Sequence, residues 1–146
     1  MIEAIIFDWA GTLYDKDKKD LFSCSERVLR ELRKKYKLAV ISKAVSDSVE
    51  NRLRQINRIK RYFEVIIADA DKTPEQFIEC MRRLNVRPEN TLVVDDRTLR
   101  GIMIENKLGC LTTWIQNEEY AHEITNEETG EPTYKINSVE DLLTIL

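Results

Sequence analysis

Cysteine is scarce in this chain. The three present, Cys24, Cys80 and Cys110, are odd in number and far apart, and they fit neither a disulfide framework nor a CxxC metal site. They are expected to serve as small core hydrophobes in a reducing, cytoplasmic setting. Long apolar runs are missing as well. None approaches the roughly 20 residues that cross a bilayer, so no membrane span is expected. Met1 leads directly into the apolar run Ile2–Phe7, without a basic stretch or cleavage site, so no secretory signal is expected. Glycine is rare, at 4 residues, while Lys, Glu, Arg and Ile are plentiful, a thermophile-like balance. Neither repeats nor a linker interrupt the sequence. Residues 1–146 are therefore expected to form a single domain, of a length that buries about 68–70% of its unfolded surface.

What is there is apolar and charged in good measure: 42% hydrophobic and 34% charged residues, enough of both for a folded core under a solvated surface. The net charge of −3 points away from a nucleic-acid partner. The charge is unevenly spread. Residues 1–61 carry 15 Lys and Arg against 9 Asp and Glu, while residues 62–146 carry 8 against 17. The basic cluster Arg52, Arg54, Arg58, Lys60 and Arg61 reads as a solvated helix face. The acidic segment Asn117–Glu131 has six glutamates and the single His, lacks a strong period, and reads as a flexible excursion.

Strand-like and helix-like patterns alternate. Ile2–Phe7 is a short β-branched run ending in Asp8. Ser23 and Glu26 have capping-box spacing, and Val28, Leu29, Leu32 and Tyr36 follow at helical spacing. Leu38–Ile41 is a second strand, ending in Ser42. Asp47 and Glu50 open a second helix with Val49, Leu53 and Ile56 on one face. Val65–Ala68 is a third strand. Thr73 and Pro74 start a third helix with the stripe Phe77, Cys80, Met81 and Leu84. Thr91–Val94 is a fourth strand, ending in Asp95 and Asp96. Leu99, Ile102, Met103 and Asn106 line a fourth helix that Gly109 closes. Cys110–Ile115 and Tyr134–Ile136 are the last strands, and Val139–Leu146, capped by Ser138, is the closing helix. This order predicts an α/β, Rossmann-like three-layer sandwich with a five- to six-stranded, mostly parallel sheet.

Ligands of open parallel sheets bind beyond the carboxyl ends of the strands. There the sequence places Asp8, Ser42, Lys72, Asp95 and Asp96. Each alone has a plain explanation: an Asp can cap a helix, a Ser can fill a turn, and a Lys can sit on the surface. Together they are complementary. Three carboxylates on one edge require a cation, and Mg²⁺ with oxygen ligands suits them. A metal beside a carboxylate nucleophile, a lysine and a hydroxyl is equipment for phosphoryl transfer.

These residues carry a resemblance. Phe7-Asp-Trp-Ala-Gly-Thr-Leu13, Val40-Ile-Ser42, Lys72-Thr-Pro-Glu-Gln-Phe77 and Val93-Val-Asp-Asp96, in this order and spacing, are similar to the four motifs of the haloacid dehalogenase-like hydrolase superfamily. Gly109 and the closing helix also match, so the resemblance covers nearly the whole chain. It implies that Asp8 attacks phosphorus and forms an aspartyl-phosphate, and that Lys72 screens nucleophile and phosphate. It implies that Ser42, the neighbouring Lys43 and backbone amides near Trp9 bind the phosphorylated substrate. Mg²⁺ would be held by Asp8, the main-chain carbonyl of Ala10, and Asp95 or Asp96, while Gly11 and Thr12 support the turn.

Ala10 departs from the pattern, since most phosphatases of the superfamily have an Asp there as general acid and base. Asp-Trp-Ala-Gly-Thr resembles the first motif of the phosphonoacetaldehyde hydrolase branch, which uses a lysine on a cap domain to form a Schiff base. Between Asp8 and Ser42, and between Ser42 and Lys72, there is no room for a cap. No acid stands at Arg100 or Gly101, where many members carry one. A phosphorelay receiver domain has similar parts, but its acid pair precedes its phospho-accepting Asp. Dehalogenases of the superfamily attack carbon without metal and also lack an Asp at the position of Ala10, whereas the Asp95–Asp96 pair argues for a metal. A weakly catalytic or regulatory domain competes with both enzymes, and Ala10 favours it. The sequence leaves substrate and oligomeric state open.

Overall fold

The computed structural model describes residues 1–44, 48–117 and 122–146. Six parallel strands form one sheet: β1 (Ala4–Phe7), β4 (Lys37–Lys43), β5 (Val65–Asp69), β6 (Thr91–Asp95), β7 (Leu111–Ile115) and β8 (Tyr134–Ile136). Their order across the sheet is β5-β4-β1-β6-β7-β8. β1 lies at the centre, with Phe7 opposite both Val40 and Val94. Asp8, Ser42 and Asp95 are thereby brought to one edge, because equal register places the strands' carboxyl ends side by side.

Alternation along the strands divides the core in two. Ile5, Phe7, Leu38, Val40, Leu92 and Val94 face α1 (Ser25–Leu32), α2 (Val49–Asn57) and the closing α5 (Leu142–Ile145). Ala4, Ile6, Ala39, Ile41 and Val93 face α3 (Pro74–Leu84) and α4 (Met103–Lys107). Strands buried on both faces are nearly continuous apolar runs for this reason. Between β1 and β4 stand only a two-stranded hairpin, β2 (Tyr14–Asp15) with β3 (Asp20–Leu21), and α1. No cap domain is inserted there. The two-residue strands carry too little pattern to be seen in the sequence. Among the described residues no helix is long and apolar enough to cross a membrane.

Several local expectations need correction. The Ser23–Glu26 box is not made. Cys24 occupies the N-cap without a side-chain bond, and Glu26 instead accepts from Arg61 and Tyr62. Helix α1 stops at Leu32, before Tyr36. Asp47 lies outside the described residues, and Ser48 caps α2 by accepting from the Asn51 amide. The fourth helix begins with a π-helical turn, Thr98–Ile102. Its wider winding shifts the inward stripe, so Leu99 is exposed while Ile102 and Glu105 are fully buried. The described part of the acidic segment, from His122 onward, is anchored. Glu123 pairs with Arg97 at 2.8 Å and accepts from the Thr98 amide, and the Asn106 amide group bonds the Thr129 and Glu131 carbonyls. Cys80 and Cys110 are buried, Cys24 is half-buried, and all three are free thiols.

Candidate active site

The loop after β1 is wound tightly around one carbonyl. Trp9 O accepts from the amides of Thr12, Leu13 and Tyr14, and the Asp8 amide donates to Val94 O. Gly11 has φ +80°, and a Cβ there would lie 2.3 Å from Asp96 Oδ2. Both the left-handed backbone and the carboxylate's approach therefore require glycine. Thr12 is fully buried and reaches Asp8 Oδ2 at 3.5 Å.

Asp8 meets the rest of the edge at its side chain. Lys72 Nζ lies 3.0 Å from Asp8 Oδ1 and 3.1 Å from Asp95 Oδ2. Lys72 precedes α3, whose start is set by a Thr73–Gln76 capping box with Pro74 in the first turn. Carboxylate oxygens of Asp8, Asp95 and Asp96 all lie within 4.8 Å of one another. Asp96 Oδ2 accepts from Asn117 at 2.9 Å, and Asp95 Oδ1 accepts from the Arg97 amide at 3.1 Å. Gly101 lines Asp95 so closely that a Cβ would fall 2.1 Å from Oδ2.

Burial dominates the electrostatics. It pushes Asp8 up, against the pull of Lys72. Burial and the charges of Asp8 and Asp95 push Asp96 up to about 9. Burial would lower Lys72, but Asp8, Asp95 and Glu105 outweigh it and hold the ammonium firmly charged. Glu105, fully buried, is raised well above the carboxylate range by burial and by Asp95. Sequence reasoning missed it. The signal was an acid three residues after Ile102, on the inward side of a helix.

A close set of three buried carboxylates, two of them displaced upward, is a donor set short of positive charge. It fits a hard divalent cation with oxygen ligands. The raised values also fix a pH dependence. Without metal the folded state holds protons that the unfolded state releases, from near 3.8 up to about 9. Stability from this cluster is therefore present at low pH and is lost as pH rises through that window. A divalent cation bound by these carboxylates would replace the proton, so thermal stabilisation by Mg²⁺ should grow from about pH 6 to about pH 8. It should reach about 2.7 kcal/mol at a hundred times Kd. Melting curves with and without Mg²⁺ at both pH values check this.

The cluster forms the base of a cavity of about 490 Å³, lined also by Ala10, Lys16, Lys43, Arg52, Asp71 and Arg97. Asp8, Ala10, Lys43, Lys72, Asp95 and Asp96 are thus brought together as the sequence suggested. Lys43 Nζ lies 3.9 Å from the exposed Asp71 carboxylate. Two expected residues stand back. Ser42 is buried and absent from the lining. The Trp9 indole is fully buried, stacks on Tyr14 and donates to Gln55 at 3.1 Å, and Trp9 is absent from the lining. Arg52 is a correction. It is not on the solvated face with Arg54, Arg58, Lys60 and Arg61, but is buried at 5% exposure.

Comparison with known proteins bears on this geometry. The family model of the haloacid dehalogenase-like hydrolases matches residues 8–115. The chain belongs to that family. A glyceraldehyde 3-phosphate phosphatase of Methanopyrus kandleri is 26% identical over 122 residues, covering 81% of this chain and 52% of the relative. The chain thus spans about half the length of that curated relative. A HAD phosphatase from Thermococcus onnurineus superposes with a TM-score of 0.77 at 17% identity, covering 99% of this chain and 97% of the other. A 2-haloacid dehalogenase from Pseudomonas syringae pv. tomato gives 0.78 at 15% identity, covering 99% and 98%. At such identities the likeness shows the fold, and phosphatase and dehalogenase share it, so the chemistry rests on the site.

Proposed function

We propose that this protein is a Mg²⁺-dependent phosphohydrolase that works through an aspartyl-phosphate on Asp8, with residues 1–146 acting as one hydrolase core. The observation that carries the reading is the Asp8 carboxylate on the cavity wall, bonded to Lys72 and within 4.8 Å of Asp95 and Asp96. The phosphatase relative in Methanopyrus kandleri supports a phosphorylated substrate. The Asp95–Asp96 pair favours a bound metal, and so phosphoryl chemistry over a dehalogenase's metal-free attack on carbon.

In this reading Lys72 at Oδ1 and Thr12 at Oδ2 hold the Asp8 carboxylate in place, and that carboxylate attacks phosphorus. The Asp8–phosphorus bond forms as the ester oxygen leaves with its electron pair. Water then attacks the same phosphorus, the bond to Asp8 breaks, and inorganic phosphate departs. Lys72 stays charged throughout, screening the repulsion between carboxylate and phosphoryl oxygens. Mg²⁺, held by Asp8, the Ala10 carbonyl, and Asp96 or Asp95, would supply the remaining neutralisation of those oxygens. Beryllofluoride or a reactive acyl phosphate should modify Asp8 and no other carboxylate. Modification of Asp95 instead would refute the assignment.

Ala10 lines the cavity without a proton to give. The leaving oxygen must then depart unprotonated or take its proton from water, so aryl and acyl phosphates should be preferred over alkyl phosphates. Ala10→Asp should raise kcat/KM on alkyl phosphates by part of the about 10²–10⁴ that general acid catalysis supplies, with little change on p-nitrophenyl phosphate. Equal wild-type rates on both substrate types would show another proton donor. Asp71 is the other wall carboxylate among the described residues. The same absence favours a second reading, a regulatory domain that keeps a long-lived phospho-aspartate. A wild-type protein that phosphorylates on Asp8 without turning over would establish it.

A further inference from the structure

Strand β4 delivers Ser42 to the edge of the sheet, yet the residue is 1% exposed and does not line the cavity. What covers it is Arg52. The Arg52 Nη1 donates to Ser42 Oγ and, at 3.0 Å, to Lys43 O. Arg52 is itself only 5% exposed, but it shares the cavity wall with Asp8 and Lys72. Helix α2 puts it there. With Ser48 as N-cap, Arg52 and Ile56 lie one turn apart on its buried side, and Ile56 seats that side in the core.

Two acceptors on one Nη1 fix the plane of the guanidinium, and a fixed fork of donors matches phosphoryl oxygens better than a lone hydroxyl. The charge balance agrees. Asp8, Asp95 and Asp96 face Lys72 at the base of the cavity, and a dianionic phosphoryl group adds to the negative side. A cation at the neighbouring strand end offsets that addition; a serine hydroxyl does not. The low exposure of Arg52 strengthens the effect.

We infer that Arg52 is the phosphoryl-oxygen ligand at the end of β4, and that Ser42 is the positioning residue that aims it. The inference rests on the phosphohydrolase reading and deepens it, exchanging the roles that the motif resemblance implies for this strand end.

The test is a double-mutant cycle of Ser42→Ala and Arg52→Ala. It is read by the Kd of inorganic phosphate from calorimetry, with and without Mg²⁺, and by kcat and KM for p-nitrophenyl phosphate. Arg52→Ala should weaken phosphate about 10- to 100-fold, the usual cost of a lost hydrogen bond to a charged group. KM should rise with it. Arg52→Lys should restore part of the affinity. Ser42→Ala should cost less than Arg52→Ala and add nothing in the Arg52→Ala background. An equal cost of Ser42→Ala in both backgrounds, or unchanged phosphate affinity in Arg52→Ala, overturns the inference. Should Arg52→Ala not fold, the cycle is run on Arg52→Lys. There Ser42→Ala should cost less than in wild type, and an equal cost overturns the inference. A wild-type protein that neither binds phosphate nor hydrolyses the aryl ester overturns the phosphohydrolase reading as well. A wild type that does both, with an additive cycle, overturns only the role of Arg52.

Discussion

Asp8→Asn should lower kcat/KM for any phosphate ester by at least about 10⁴, because the amide cannot form the covalent intermediate. The fold should survive and stability should not fall. Asp8 is raised above its ordinary value by burial, so at neutral pH its ionised form is held in the folded state at a cost. Asn keeps the shape and removes that charge. Loss of turnover with a steady or higher melting temperature in metal-free buffer therefore marks a nucleophile. Loss of both would mark a structural aspartate and sink the assignment. Steady-state kinetics and thermal melts on the same preparation separate the two.

Lys72→Met should act in the opposite direction on stability. Lys72 is side-chain buried at 9% exposure and bridges Asp8 and Asp95 at 3.0 and 3.1 Å. Its folded-state pKa is raised by those partners and Glu105, despite burial. Its stabilisation is thus complete below the ordinary lysine value and is lost only at higher pH. At neutral pH, removing one partner of such a buried group costs about 3–5 kcal/mol. The deficit should shrink toward acid pH, as Asp8, raised by burial, takes up a proton and needs the cation less. Mg²⁺ should also rescue the variant more than it helps wild type. Turnover should drop by about 10²–10³ even when Mg²⁺ restores the fold, since the cation no longer screens attack. Denaturant titrations at two pH values give the first effect, and kinetics at saturating Mg²⁺ the second. A variant as stable as wild type at neutral pH would mean that Lys72 does not hold the carboxylates together.

Much of this site was legible in the chain. Asp8, Ser42 and Asp95 each follow a run of apolar residues buried on both faces, and a parallel sheet aligns such ends. Lys72 lies just before a helix whose start is marked by Thr73 and Pro74. These are local signals, a period and a cap, and local signals survive without tertiary context. The β2–β3 hairpin was not legible, because two residues per strand carry no period. The inward face of the fourth helix was not legible either. A π-helical turn over Thr98–Ile102 moved Leu99 outward and Glu105 inward, and no residue in that turn announces it.

By itself the sequence determined the parallel α/β sheet, the family's four motifs in order, and the carboxylate and lysine positions on one edge. The reason is that burial on both faces writes its pattern into every strand. Only the tertiary structure decided which polar groups face the cavity. Ser42 and Arg52 are ten residues apart on different elements, and each looked ordinary in its own segment: one a turn residue, the other part of a basic surface. The packing of α2 beside β4 put the guanidinium on the cavity wall, between the hydroxyl and the cavity. Glu105 stands behind Asp95 for the same kind of reason. Such placements depend on distances between elements, and residue spacing along one chain segment does not contain them.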